Sequence, residues 1–172
     1  MKRMSLIILS LCLLGAGFYA TYVLAVRQTQ TKTPVYQDKS PRFIHDAPAK
    51  TLAAMTREAK PGIYYFGYPN CPWCVELLPV FDRELKRQHK QAQVVNTRAD
   101  NYRSVDNIVL EKFFIKHTFE KRLSVPFIVV IQKDGKVKTH IGTVKGHNAP
   151  LASMTREQQS QLEKQLRELI KE

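Results

Sequence analysis

Two cysteines separated by two residues carry the most evident chemistry in this sequence. Residues 68–74 read YPNCPWC, in which Cys71 and Cys74 enclose Pro72 and Trp73. A CxxC pair can exchange disulfides, supply half of a zinc site or form a static crosslink. These three alternatives make different demands on the rest of the chain.

Zinc binding and static crosslinking fit the sequence less well than redox exchange. A structural zinc site takes four ligands, and a second CxxC or a close pair of histidines normally completes it. The chain has one CxxC and five scattered histidines, which are His45, His89, His117, His140 and His147. A disulfide across two residues is easily reduced and makes a poor crosslink. We therefore predict no metal and no organic cofactor, with the cysteine pair as the redox centre, and we expect His147 to be a solvated loop residue.

The motif lies where a strand is predicted to end and a helix to begin. Residues 63–68 (IYYFGY) are aromatic and favour a buried strand, whereas residues 75–85 repeat apolar side chains at helical spacing. Cys71 would then lie at the N-terminus of the helix, where backbone N–H groups and the helix dipole favour thiolate and lower its pKa. Thiolate is the attacking species in disulfide exchange, so Cys74, one turn further in, would be the resolving thiol.

The other elements favour an α/β fold around a small mixed sheet. Helical patterns cover residues 47–60 and 101–123, and a third begins at a capping box over residues 155–158. Strands are predicted at 93–97 and on both sides of the Asp134-Gly135 turn, which is a hairpin signal. A βαβ unit followed by a hairpin and a closing helix predicts a central mixed β-sheet flanked by helices.

The N-terminus indicates export from the cytoplasm. Lys2 and Arg3 precede an almost unbroken apolar run over residues 6–26, which is long enough to span a bilayer as a helix. Basic residues before such a run keep the N-terminus inside and send the rest outside. Cleavage near Ala25, as in a signal peptide, is the alternative and would give a secreted domain. Either location allows a disulfide to persist.

These features divide the chain into three parts. We predict an N-terminal membrane anchor over residues 1–27, a polar linker over 28–44 and one extracytoplasmic domain over 45–172. Cys12 falls within the apolar run, and we interpret it as an apolar residue of the anchor.

The net charge is strongly positive. Lysine and arginine number 27 against 15 acidic residues, giving a formal charge of +12, and +10 remains without Lys2 and Arg3. No dense basic block and no aromatic interleaving of the kind that single-strand binders use is present. We therefore predict a solvated basic surface and no nucleic-acid partner, with binding to an anionic membrane surface left open.

Residues 66–81, FGYPNCPWCVELLPVF, resemble the active-site segment of the thioredoxin superfamily. Pro79 matches the proline that kinks the helix of that segment, and Val125-Pro126 matches the family's cis-proline and the residue before it. The resemblance implies a thioredoxin-like fold in which Val125 and Pro126 lie beside the cysteine pair and bind substrate. Pro72 and Trp73 join that predicted substrate-binding surface, where the indole offers an apolar contact.

Two departures from the thioredoxin pattern affect the expected chemistry. Tyr65 stands where thioredoxins carry a buried acid, so fast reductase chemistry is less favoured than oxidation or isomerisation. Asn70 replaces an aromatic residue before the first cysteine, and we expect it to complete a turn after Pro69.

Residues 125–162 and the N-terminal anchor resemble the bacteriocin transport accessory proteins of Gram-positive bacteria. The resemblance implies a membrane-tethered thiol–disulfide oxidoreductase that assists disulfide formation in exported peptides such as bacteriocins. Its partners would be those cysteine-containing substrates, the cell membrane, and a membrane or extracellular redox partner. Two alternatives remain open, namely an extracytoplasmic reductase and a non-catalytic accessory that binds an exported peptide or its transporter.

Overall fold

A five-stranded mixed sheet with helices on both faces forms the folded unit. The computed structural model describes residues 35–171. Within that range, no helix combines the length and the apolar character needed to cross a membrane. In chain order the elements are β1 (Phe43–Ile44), α1 (Pro48–Thr56), β2 (Gly62–Gly67), α2 (Pro72–Arg87), β3 (Ala92–Asn96), α3 (Ser104–His117), β4 (Phe127–Ile131), β5 (Val137–Ile141) and α4 (Arg156–Ile170).

The strand order is β1-β3-β2-β4-β5, which places β2 at the centre of the sheet. β1, β3 and β2 run parallel, whereas β4 pairs antiparallel with β2 and β5 pairs antiparallel with β4. The β4–β5 connection turns at Gly135, whose φ of +81° is left-handed and suits glycine because it lacks a Cβ. The predicted α/β class with a central mixed sheet is therefore confirmed.

Helices bury both faces of the sheet. Successive residues of β2 alternate between two cores, with Tyr65 on the side of α2 and α4 and Tyr64 on the side of α1 and α3. Strands buried on both faces have nearly continuous apolar sequences rather than alternating ones. This burial explains the runs IYYF in β2 and FIVVI in β4.

The folded unit begins earlier than the predicted boundary at residue 45. β1 pairs with β3 at the edge of the sheet. Just before β1, Arg42 donates from Nε and Nη2 to the carboxylate of Asp82 in α2, at 2.8 and 2.7 Å. The end of the predicted 28–44 linker thus belongs to the sheet, and a two-residue strand is too short to show periodicity. The predicted anchor over residues 1–27, with Cys12 and Ala25, lies outside the described residues.

The helix predicted over residues 101–123 is shorter than expected. α3 ends at His117, and the chain from Thr118 to Pro126 forms neither helix nor strand. Leu110 and Phe114 are the apolar side chains of α3 that are fully buried. Large apolar side chains that remain exposed on or just beyond α3 are Val105, Ile108, Ile115 and Phe119. The long apolar pattern therefore overestimated the length of this helix.

Candidate active site

Cys71 and Cys74 form a disulfide between the end of β2 and the start of α2. A turn over residues 68–71 connects the two elements, and the Cys71 N–H closes it by donating to the Tyr68 carbonyl oxygen at 3.2 Å. Asn70 occupies the third position of this turn, as the sequence suggested. Cys71 then caps α2, since the Cys74 N–H lies 3.2 Å from Cys71 Sγ. The predicted strand–CxxC–helix arrangement is confirmed.

Both cysteine side chains are almost inaccessible in the disulfide form. The exposed fraction is 2% for Cys71 and 0% for Cys74. The two cysteines have similar exposure but different positions, because Cys71 precedes the helix whereas Cys74 lies one turn inside it. Pro72 and Trp73 are both partly exposed beside the pair. Cys71 is therefore the outer cysteine of the pair, and its role as the attacking thiol stays a prediction.

The Val125–Pro126 peptide lies against the disulfide and is cis. The Val125 carbonyl oxygen stands 3.8 Å from Cys71 Sγ. This is a contact rather than a hydrogen bond, because a disulfide sulfur carries no hydrogen. The antiparallel register pairs Phe66 with Phe127, which brings the start of β4 beside the end of β2. The proximity implied by the resemblance is thus observed, and the substrate-binding role of these two residues stays a prediction.

Arg98 belongs to this edge of the sheet and was missed from the sequence. Its guanidinium lies 3.6 Å from the centroid of the Tyr68 ring. Tyr68 precedes Cys71 by three residues. The Thr97 N–H donates to the Gly67 carbonyl oxygen at 2.9 Å and fixes the end of β3 beside the end of β2. Parallel strands end at the same edge of a sheet, so the βαβ pattern could have placed Arg98 near the motif. It supplies a positive charge close to the site.

Gly67 is the last residue of β2 and lies under the inner cysteine. A Cβ at this position would stand 3.0 Å from Cys74 Sγ and closer still to the hydroxyl of Tyr65. Real Cβ atoms essentially never show contacts this short, so glycine is required here for space. Gly67 thereby marks the point where the Tyr65 hydroxyl and the Cys74 sulfur approach each other.

The loop after β5 attaches to α2 near the motif. The Met154 N–H donates to the Glu76 carboxylate at 3.3 Å. Within the loop, His147 Nε2 lies 3.0 Å from the Ala152 carbonyl oxygen and must donate to it. In the neutral ring, Nδ1 then accepts from the Thr143 hydroxyl at 2.7 Å. His147 is therefore a partly exposed loop residue, as expected, but both ring nitrogens are hydrogen-bonded within the loop rather than left to solvent.

The described residues show no cluster suited to a metal ion, and one cavity lies away from the cysteines. Among residues 35–171, no group of three His, Cys, Asp or Glu side chains could hold a metal. A cavity of about 230 Å³ is lined by Gly62, Ile131 and Ile170 among others. Gly62 begins β2 whereas Cys71 follows its end, so this cavity lies at the far end of the strand from the disulfide.

Comparison with known proteins finds likenesses among solved structures alone. No protein-family model matches the chain, and no curated protein matches it. Among solved structures, the chain is similar to the crystal structure of a disulphide isomerase from Xylella fastidiosa Temecula1. The two share 20% sequence identity with a TM-score of 0.38, over 79% of this chain and 96% of the other. A likeness this distant carries no argument, so the site itself must support any function.

Proposed function

We propose that this protein is a thioredoxin-like thiol–disulfide oxidoreductase whose redox centre is the Cys71–Cys74 pair. The position of the disulfide carries the proposal: it caps α2, with the Cys74 N–H directed at Cys71 Sγ and the Val125 carbonyl beside it. Helix N-termini stabilise negative charge. A thiolate at Cys71 is therefore favoured, both when it attacks a disulfide and when it departs from one.

The reaction moves two electrons without a bound cofactor. A substrate thiolate attacks Cys71 Sγ, the Cys71–Cys74 bond breaks, and Cys74 departs as a thiolate. A second thiolate of the same substrate then attacks the substrate sulfur of the mixed disulfide. The substrate disulfide forms, Cys71 departs as a thiolate, and the pair is left reduced. A disulfide-containing protein or another oxidant must then reoxidise the pair.

We further propose that the domain works outside the cytoplasm on exported peptides. The apolar run over residues 6–26 supports membrane tethering, and the resemblance over residues 125–162 supports bacteriocin-like substrates. Oxidation or isomerisation is the favoured direction, because Tyr65 replaces the buried acid expected of a reductase. The reoxidising partner would be a membrane or extracellular redox protein.

The trapping of a mixed disulfide tests the proposed exchange chemistry. The full-length chain is purified in detergent with Cys12→Ala, so that only the motif cysteines can react. Cys74→Ser is expected to accumulate a stable mixed disulfide with a peptide disulfide through Cys71, since no resolving thiol remains. Cys71→Ser is the matched control and should trap far less, because Cys74 lies one turn inside the helix whereas Cys71 precedes it. Equal trapping by both variants would refute the assigned roles, and no trapping by either would refute the exchange activity.

The reduction potential of the pair decides the direction. An oxidase is expected near −120 to −180 mV, the range roughly spanned by known oxidising dithiols. A value near −250 mV or lower would instead support the reductase alternative. Equilibration of the full-length chain in glutathione buffers, followed by Trp73 fluorescence and thiol trapping, measures it. Normal export and bridging of the peptide in a Cys71→Ser strain would support the non-catalytic alternative.

A further inference from the structure

The hydroxyl of Tyr65 is a buried polar group whose polar neighbour is the hydroxyl of Tyr36. The Tyr65 side chain is 0% exposed, and its ring stacks on Phe81 at 6.0 Å between centroids. The two hydroxyls lie close enough to interact, but among the described residues neither has a partner in good hydrogen-bonding geometry, so any hydrogen bond between them is poorly aligned. A buried hydroxyl with so weak a partner destabilises the fold, and it can donate to a better acceptor that comes within reach.

The inner sulfur of the disulfide lies next to this hydroxyl. Both the Tyr65 oxygen and Cys74 Sγ fall within 3.0 Å of the point that a Cβ on Gly67 would occupy. The two atoms are therefore no further apart than twice that distance. When the disulfide opens, the two sulfurs separate to at least a non-bonded contact, whereas Cys74 stays within this buried space because it lies inside α2. The negative charge it then carries needs a donor, because burial without one is costly.

We propose that the Tyr65 hydroxyl donates a hydrogen bond to the Cys74 sulfur when the pair is reduced, and thereby makes the pair a stronger oxidant. This inference rests on the proposed exchange function. It assigns Tyr65 as a positioning residue that acts through Cys74. Breaking of the Cys71–Cys74 bond by an incoming thiolate leaves its electron pair on Cys74 Sγ, and the phenol stabilises that charge while keeping its own proton.

The surroundings of Tyr65 make it a donor rather than a base. Burial raises its pKa far above the ordinary tyrosine value, and the Tyr36 hydroxyl and the charge of Asp38 raise it further. The phenol therefore stays protonated at any pH at which the protein works. A carboxylate at this position would accept the proton of Cys74, whereas Tyr65 can only solvate the sulfur.

Tyr65→Phe tests the inference, with Tyr64→Phe as the matched control. Both remove one phenol oxygen from β2, but the Tyr64 hydroxyl donates to the Lys60 carbonyl oxygen at 2.7 Å and belongs to the opposite core. In the full-length protein, Tyr65→Phe is expected to make reduction by glutathione about tenfold less favourable, a shift of about 30 mV to more negative potential. Reduction by dithiothreitol should slow in parallel, because Cys74 becomes a poorer leaving group. Tyr64→Phe should change the potential by less than a third of that shift.

Unfolding of the oxidised and reduced forms separates this role from a purely structural one. Loss of a buried hydroxyl whose partner is poorly aligned should leave oxidised Tyr65→Phe about as stable as oxidised wild type, whereas the reduced variant should be less stable than reduced wild type. An unchanged potential in Tyr65→Phe, or equal stability changes in both forms, would overturn the inference alone. Failure of the wild-type pair to exchange with any peptide disulfide would overturn the proposed function and the inference with it.

Discussion

Gly67→Ala should destabilise the protein because the new methyl group has no space. It would stand 3.0 Å from Cys74 Sγ and nearer still to the Tyr65 hydroxyl and the ring carbon that bears it. Neither neighbour can retreat easily, since Cys74 is held in the disulfide and the Tyr65 ring is stacked on Phe81. Overpacking of this kind costs about 1–3 kcal/mol. For a domain of this size each kcal/mol lowers Tm by roughly 3–5 °C, so we expect a fall of roughly 3–15 °C.

Gly62→Ala is the matched control for this prediction. Gly62 is the first residue of the same strand, and a Cβ there would meet the Tyr64 ring at 3.5–3.6 Å, which is ordinary van der Waals contact. Alanine also restricts the unfolded chain more than glycine does, so this variant should be neutral or more stable by up to about 1 kcal/mol. Thermal unfolding of the oxidised proteins measures both. Equal stability of the two variants would refute the crowding argument at Gly67.

A double variant identifies the atom responsible. Tyr65→Phe removes the nearest oxygen, whereas the ring carbon and the Cys74 sulfur remain close to the added methyl. Gly67→Ala combined with Tyr65→Phe should therefore regain part of the lost stability, with a coupling energy above about 0.5 kcal/mol. Additive effects would show that the Tyr65 hydroxyl does not lie over Gly67, and would also remove the geometric basis of the proposed donor to Cys74.

Two further variants test other parts of the structure. Burial raises the pKa of Asp82, but hydrogen bonds from Arg42 and Ser40 outweigh it and hold the pKa below its usual value. This stabilisation is present above the unfolded pKa of about 3.9 and is lost as pH falls through the folded pKa. Asp82→Asn should therefore lower the free energy of unfolding by up to about 1 kcal/mol at pH 7, because the ion pair is partly exposed. The loss should become progressively smaller below pH 4, as urea unfolding at each pH would measure. An equal loss of stability at both pH values would contradict the role of the ion pair. Asp46→Asn is the control, because its ion pair with Lys50 is more exposed, and it should have almost no effect. Trp73→Ala should weaken the reaction with a cysteine-containing peptide by about tenfold more than the reaction with glutathione, because only the peptide is large enough to bury the indole; equal losses in competition assays would argue against a substrate contact.

The parts of the structure that the sequence predicts well are those with local signals. The strand before Cys71, the helix after it, the Asp134-Gly135 hairpin and the capping box at Thr155 each depend on residues within one turn or one strand. The neighbourhood of Val125-Pro126 and the cysteines came from a family resemblance, because no local pattern connects positions 54 residues apart. The structure supplies the physical link through the antiparallel register of β4 on β2.

The parts that were missed depend on long-range contacts. β1 has two residues and exists because β3 offers an edge and Asp82 holds Arg42. The exposed face of α3 could not be separated from its buried face, because apolar residues occur all around that helix. The space over Gly67 is equally invisible in the sequence, since it depends on how the Tyr65 ring packs between the sheet and α2.

The topology explains why the potential of this disulfide should respond to the core as much as to the surface. The C-terminal ends of the parallel strands β2 and β3 and the N-terminal end of the antiparallel strand β4 meet at one edge of the sheet. They bring Cys71, Arg98 and Val125 together at that edge. Cys74 is fully buried, and its sulfur lies near the Tyr65 hydroxyl over Gly67. Any charge on Cys74 must therefore be stabilised from within the core, so that core substitutions next to Gly67 should alter the redox balance even though they leave the exposed edge unchanged.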